Sequence, residues 1–131
     1  MNVAIVGSRT FMDMKAMEII VKRLLERDPD VVIVSGGARG ADTLAESAAR
    51  KLCKHAPLIF PADWAKYGRS AGPRRNQQLV AACDQLVALW DGASPGTLSS
   101  VRLALAAKKP TFVYNTTTRR WLDTSELEQV T

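Results

Sequence analysis

The sequence predicts an α/β fold: a three-layer, Rossmann-like, doubly wound parallel sheet of about five strands. Three observations lead there. The first is Val31 to Val34, four consecutive β-branched residues. Such a run is too apolar for a strand with one wet face and fits a strand covered on both sides. The second is alternation. Apolar runs of strand length recur between segments whose apolar residues are spaced for helices, the pattern of a parallel sheet with helices on both faces. The third is punctuation. All eight glycines, Gly7, Gly36, Gly37, Gly40, Gly68, Gly72, Gly92 and Gly96, fall after an expected strand and before the next helix. The return connections hold Pro29, Pro57 and Pro110 instead.

Taken in order, Asn2 to Val6 reads as a buried strand ending in Gly7, Ser8 and Arg9. Met14, Met17, Ile20, Val21, Leu24 and Leu25 then fall at helical spacing, opposite Lys22, Arg23 and Glu26. That stripe faces a core. Asp28-Pro29-Asp30 breaks the helix before the Val31 strand. The chain turns through Ser35, Gly36, Gly37, Ala38, Arg39 and Gly40 into a helix with Ala41, Leu44, Ala45, Ala48 and Leu52 on one face. Pro57 to Phe60 reads as a short third strand. Pro61 to Gly72 is irregular, with one helical turn expected where Trp64 and Tyr67 are spaced for it. Pro73 suits the first position of the following helix, whose Leu79, Val80, Ala82 and Cys83 point inward. Gln85 to Trp90 is the fourth strand. The turn Asp91 to Thr97 opens a helix carrying Leu98, Val101, Ala104 and Leu105. Thr111 to Tyr114 is the fifth strand. From about 115 the tail is weakly patterned: Trp121 and Leu122 are its anchors or an added strand, and the last residues are expected to fray.

A length of 131 residues fits one domain, 1–131, large enough to bury a core without disulfides. No apolar run approaches a membrane span, and Met1-Asn2 leads straight into a strand without a signal-peptide pattern. The expectation is a cytoplasmic protein with no membrane partner. The two cysteines, Cys53 and Cys83, are far apart, and His55 is the one histidine. That spacing offers no metal site, and the thiols read as small apolar groups in a reducing compartment. A net charge of +5 suits an anionic ligand and is compatible with nucleic acid, so it does not choose between them.

The strand C-termini of a parallel sheet point one way, so the glycine turns gather at one edge, where open α/β sheets bind ligands. Glycine lets a ligand approach the backbone because it has no Cβ, and helix N-termini favour negative charge. The expected ligand is therefore a phosphate-bearing small molecule. The residues expected to bind it are Gly7, Ser8 and Arg9; Ser35, Gly36, Gly37, Arg39, Gly40 and Asp42; Asp63 and Trp64; Arg74 and Asn76; and Asp91, Gly92, Gly96 and Thr97. Arginine grips phosphate with paired hydrogen bonds. Arg39, between two glycines, and Arg74, beside Asn76, stand out. Arg69 and Arg75 fit solvated surface charge equally well. The acids accept from ribose hydroxyls or serve only as helix N-terminal charges. Trp64 and Tyr67 stack on a base or serve in lid packing.

Five ordered motifs carry a resemblance: GSR at 7–9, SGGARGAD at 35–42, ADW at 62–64, AGPRRN at 71–76 and WDGASPGT at 90–97. Together they resemble the YspA-like branch of the SLOG superfamily over about the first 114 residues. The resemblance implies a Rossmann-like fold that binds nucleotides or their derivatives at the strand C-terminal edge. Many YspA-like proteins are encoded by bacteria and their phages, so the resemblance implies a bacterial or phage source. Its relatives include the LOG phosphoribohydrolases, DprA, which loads recombinase on single-stranded DNA, and expected sensors of ADP-ribose or NAD derivatives. The LOG motif PGGxGTxxE ends in a catalytic glutamate, and aligned on Gly96-Thr97 its place here is taken by Ser100. A serine does not stabilise an oxocarbenium-like transition state as a carboxylate does.

The leading reading is a sensor or sequestering module that binds an adenine nucleotide, ADP-ribose or an NAD-like ligand. The alternative is a nucleotide N-glycosidase, for which Asp42, Asp63 and Asp91 are the candidate catalytic carboxylates. A second alternative is a DprA-like single-strand binder, for which aromatic platforms are sparse. A homo-oligomer is compatible with all three.

Overall fold

The computed structural model describes residues 1–131. Five strands alternate with helices: β1 (Asn2–Gly7), α1 (Met14–Arg27), β2 (Val32–Ser35), α2 (Ala41–Leu52), β3 (Leu58–Ile59), α3 (Trp64–Tyr67), α4 (Ala71–Ala82), β4 (Gln85–Trp90), α5 (Pro95–Ala106) and β5 (Thr111–Asn115). The chain closes with β6 (Arg120–Trp121) and α6 (Thr124–Val130). The sheet order is β3-β2-β1-β4-β5-β6. The chain moves outward from β1 to β3, then returns to the other side of β1 with β4. The turns after β1 and β4 therefore part from one another, which opens a crevice at the strand C-termini.

Alternation along each strand sends side chains to two cores. Val3, Ile5, Ile33, Val87 and Leu89 pack beneath α1 and α2, against Met17, Val21, Ala45 and Ala48. Ala4, Val6, Val34, Leu86, Ala88 and Val113 pack on the opposite face, against Leu79, Val80, Val101 and Ala104. β4 is buried at all six positions, as a central strand covered on both faces must be.

The expected α/β class holds, and three details differ. The sheet has six strands, not about five, and is not wholly parallel: β6 pairs antiparallel with β5, Tyr114 opposite Trp121. The reversal is local. Asn115 Oδ1 accepts from the backbone N–H groups of Thr117 and Thr118 at 2.9 and 3.1 Å, and Arg119 takes a φ of 59°. The tail forms a helix through Val130. Asp123 and Glu126 form a reciprocal capping box at the start of α6, and Leu122, Leu127 and Val130 pack on the second core. Around the third connection, α4 begins at Ala71, so Pro73 is its third residue. A proline there removes only an N–H that has no partner within the helix. Gly68 closes α3 at a φ of 54° and Gly72 lies inside α4, so neither sits in an open strand-to-helix turn.

No helix is long and apolar enough to cross a membrane.

Candidate functional site

β1 and β4 end side by side, Gly7 opposite Leu89. A Cβ on Gly7 would stand 2.5 Å from the Leu89 carbonyl oxygen and 2.8 Å from the Ala41 Cβ. Gly40 has a φ of 77°, and a Cβ there would overlap the carbonyl oxygens of Ser8 and Arg9. These two glycines let the turn after β1 lie on the first turn of α2, where the Ala41 N–H donates to the Ser8 carbonyl at 3.1 Å. Ser8 is buried, its Oγ 2.8 Å from the Thr10 hydroxyl and 3.4 Å from Asp91 Oδ2. Asp91 Oδ1 accepts from the N–H groups of Ala93 and Ser94 at 2.9 and 2.7 Å. Those bonds hold its carboxyl below the usual range. Asp91 shapes a turn that Gly92, at a φ of 87°, completes.

The turn after β2 rests on two buried acids from α2. The Ala38 N–H donates to Asp42 Oδ2 at 3.3 Å, and Ser35 Oγ donates to Glu46 Oε2 at 2.6 Å. Burial pushes the Asp42 carboxyl up to about 6, with the Ala38 N–H and the Arg75 charge opposing and Glu46 adding to the rise. From α4, Arg75 donates Nη1 to the Gly36 carbonyl and Nε to Asn76 Oδ1 at 2.9 Å.

These parts surround one small, open cleft. Gly7 and Arg9 line it from the β1 turn, Ala38 and Asp42 from the second turn, and Arg75, Asn76 and Leu79 from α4. Ser94, Gly96, Thr97 and Ser100 line it from α5. At Gly96 a Cβ would meet nothing within 4 Å, so the backbone of the first turn of α5 is open to the cleft. An adjoining pocket shares Arg9, Ala38 and Arg75 and adds Gly36, Gly37, Arg39, Pro61, Ala62 and Trp64.

Of the residues named from sequence, Gly7, Arg9, Asp42, Asn76, Gly96 and Thr97 come together in the main cleft. Gly36, Gly37, Arg39 and Trp64 flank the adjoining pocket. Ser8, Ser35, Gly40, Asp91 and Gly92 hold the turns from behind. Asp63 lies apart: it is exposed and caps α3, accepting from the Lys66 N–H at 3.1 Å. Arg74 also lies apart, with its guanidinium 4.4 Å from the Tyr67 ring centroid and Nε on Ser70 Oγ at 3.1 Å. Its neighbour Arg75 enters the cleft instead. One residue is a turn of about 100° on a helix, and the inward Leu79 and Val80 put Arg75 and Asn76 on their face at i−4. That signal was available in the sequence and points away from Arg74. No group of three His, Cys, Asp or Glu side chains is placed to hold a metal ion.

A family model described as the YspA, cpYpsA-related SLOG family matches residues 1–67, which hold the first three motifs. The chain belongs to this SLOG family. Like it is the Gene 61 protein of Mycobacterium phage D29, 36% identical over 115 residues that cover 83% of the SLOG chain and 92% of the phage protein. Among solved structures, DNA processing protein A of Helicobacter pylori superposes with a TM-score of 0.69 at 23% identity, over 98% of this SLOG chain and 72% of that one. That structure is described for its single-stranded DNA binding mode. DprA of Streptococcus pneumoniae superposes with a TM-score of 0.68 at 23% identity, over 86% of the chain. The SLOG chain spans about half of that protein, 49%. Likeness at this identity carries the Rossmann-like fold.

Proposed function

We propose that this SLOG protein binds a nucleotide or nucleotide-derived ligand at the glycine-rich edge and serves as a sensor or sequestering module. The observation that carries the reading is the open backbone at Gly96 facing Arg9 and Arg75 across one cleft. A phosphate seated there meets the free N–H groups and positive end of α5 on one side and two guanidinium groups on the other. Asn76 and Thr97 supply hydrogen bonds at its margin. Trp64, 53% exposed beside the adjoining pocket, offers a face for a base. An adenine nucleotide, ADP-ribose or an NAD-like molecule has the required parts.

One observation favours a second reading, hydrolysis of an N-glycosidic bond. Asp42 is a buried carboxyl within the cleft, with its pKa raised to about 6, the range of a general acid. Against that reading, Ser100 lines the cleft where LOG enzymes carry their glutamate.

Thermal melting with AMP, ADP, ADP-ribose, NAD and adenosine tests both. A ligand at 100 times its Kd adds about 2.7 kcal/mol, roughly 10 °C in Tm for a domain of this size. Adenosine, without phosphate, is expected to give far less. Gly96→Asp places a carboxylate in open space and is expected to fold while abolishing the shift. No shift with any nucleotide sinks the binding reading. Chromatography of the same mixtures reads free base, and its rapid release sends the assignment to the hydrolase.

A further inference from the structure

The two faces of the sheet are not covered alike. α4, α5 and α6 pack on one face, whereas only α1 and α2 cover the other. Beyond α1 no helix covers that second face over β5 and β6. Gln85 and Val87 of β4, Phe112 of β5 and Trp121 of β6 floor a groove walled by Ile20 and Leu24 of α1. The groove runs on along α1 past Ile19 and Tyr114. Ile19, Phe112 and Trp121 are 53%, 44% and 47% exposed. Single exposed apolar residues need no explanation, but a contiguous run of them marks an interaction surface.

Two further features define the occupant. Arg23 and Arg27, one helical turn apart, stand on the α1 wall, and neither joins an ion pair. No carboxylate lines the groove. On its floor, the side-chain amide of Gln85 makes no hydrogen bond within the chain and is open to the groove. Its donor and acceptor are available to a group entering the groove.

We propose that this groove docks an amphipathic helix from another polypeptide, apolar on the inward side and acidic along the flank that meets Arg23 and Arg27. The helix takes the place of the third helix that this face of the sheet lacks. Lying along α1, which spans ~21 Å, it is about as long as common helix-in-groove ligands. A polar side chain on it satisfies Gln85. A symmetric pair of two copies would bring four arginines and no carboxylate from the groove into one interface, so charge favours the acidic partner. Gln85 and Arg27 sit at the end of the sheet away from the glycine turns, so docking does not depend on the nucleotide reading.

The test uses two synthetic helical peptides with the same leucine stripe, one with glutamates on both flanks and one with lysines. Binding is read by fluorescence anisotropy at low salt. The glutamate peptide is expected to bind at least fivefold tighter than the lysine peptide. The Arg23→Glu/Arg27→Glu double variant is expected to reverse that order. Phe112→Asp is expected to weaken both peptides at least tenfold while leaving the circular dichroism spectrum unchanged. Equal binding of the two peptides, or no binding of either, overturns the proposal. So does concentration-dependent dimerisation that Phe112→Asp abolishes, because a second copy would then cover the face.

Discussion

Arg75 donates Nη1 to the carbonyl oxygen of Gly36, fastening α4 to the turn that follows β2. The bond holds a guanidinium half-buried at the cleft, where burial lowers its pKa and the Asp42 charge opposes that fall. Arginine stays charged even so.

Arg75→Gln removes that charge. We expect its affinity for ADP-ribose to fall at least tenfold, since a hydrogen bond to a charged group is worth about 1.5–3 kcal/mol. Arg74→Gln, one residue away, is expected to stay within about twofold, because its guanidinium rests on the Tyr67 ring and does not line the main cleft. Titration calorimetry separates the two. Equal losses would mean that the ligand contacts the outer face of α4.

The glycines divide into those that pack and those that leave space. Gly40→Ala forces a Cβ into the Ser8 carbonyl at a φ of 77°, and is expected to cost about 3 kcal/mol or more. Gly96→Ala meets nothing and is expected to change stability by less than about 1 kcal/mol. Urea melts of the two variants check the contrast. Gly37 is a poor probe of binding, because its φ of 72° strains any replacement.

What the sequence disclosed follows from the range of the signals. The Val31 to Val34 run and the helical stripe from Met14 to Leu25 express burial over many residues, and both elements stand where that periodicity puts them. The edge that holds Gly7, Gly36 and Gly96 was legible because parallel strands share a direction. The tail was legible only in part: Trp121 does supply an added strand and Leu122 a core anchor, but the helix after them was not. α6 has seven residues, too few for a periodic stripe, and its start depends on a reciprocal side-chain bond between Asp123 and Glu126. Charge type without helical phase leaves Arg75, the cleft's second arginine, open between site and surface. The different duties of Gly40 and Gly96 depend on which backbone lies opposite, and no local pattern encodes that.

Asp42 gives the site a pH dependence. Its folded pKa of about 6 lies above the ordinary aspartate value of 3.8, so the folded state holds this proton more tightly than the unfolded chain. The resulting stabilisation is fully present below the unfolded pKa and is lost as pH rises through about 6. At pH 7.5 the buried charge therefore opposes folding by about 3 kcal/mol at most. Asp42→Asn is expected to raise stability at pH 7.5 by about 1–3 kcal/mol and to change little near pH 4. The same proton bears on binding. ADP-ribose keeps a constant pyrophosphate charge over this range, so its affinity is expected to rise as pH falls from 7.5 to 5.5, and to stay flat in the Asn variant. An affinity that falls with pH would show that the ionised carboxylate accepts from the ligand.

The last prediction concerns polyanions. Tyr67 carries the Arg74 guanidinium at 4.4 Å and the Lys66 ammonium at 5.0 Å from its ring centroid. With Arg69 and the exposed Trp64 these form a basic, aromatic strip beside the adjoining pocket. Such a strip attracts a nucleic acid strand through counterion release, with a slope of about −0.7 per neutralised phosphate on single strands. With about three phosphates neutralised, affinity for oligo(dT) is expected to drop roughly 20-fold between 50 and 200 mM salt. Lys66→Ala/Arg74→Ala is expected to flatten that slope by about 1.4 while leaving ADP-ribose affinity intact, because neither side chain lines the main cleft. Anisotropy at several salt concentrations measures both quantities. Tight oligo(dT) binding at 200 mM, lost together with ADP-ribose binding in the Arg75→Gln variant, would make the strand the ligand of the cleft itself. The small nucleotide would then be only a fragment of that ligand.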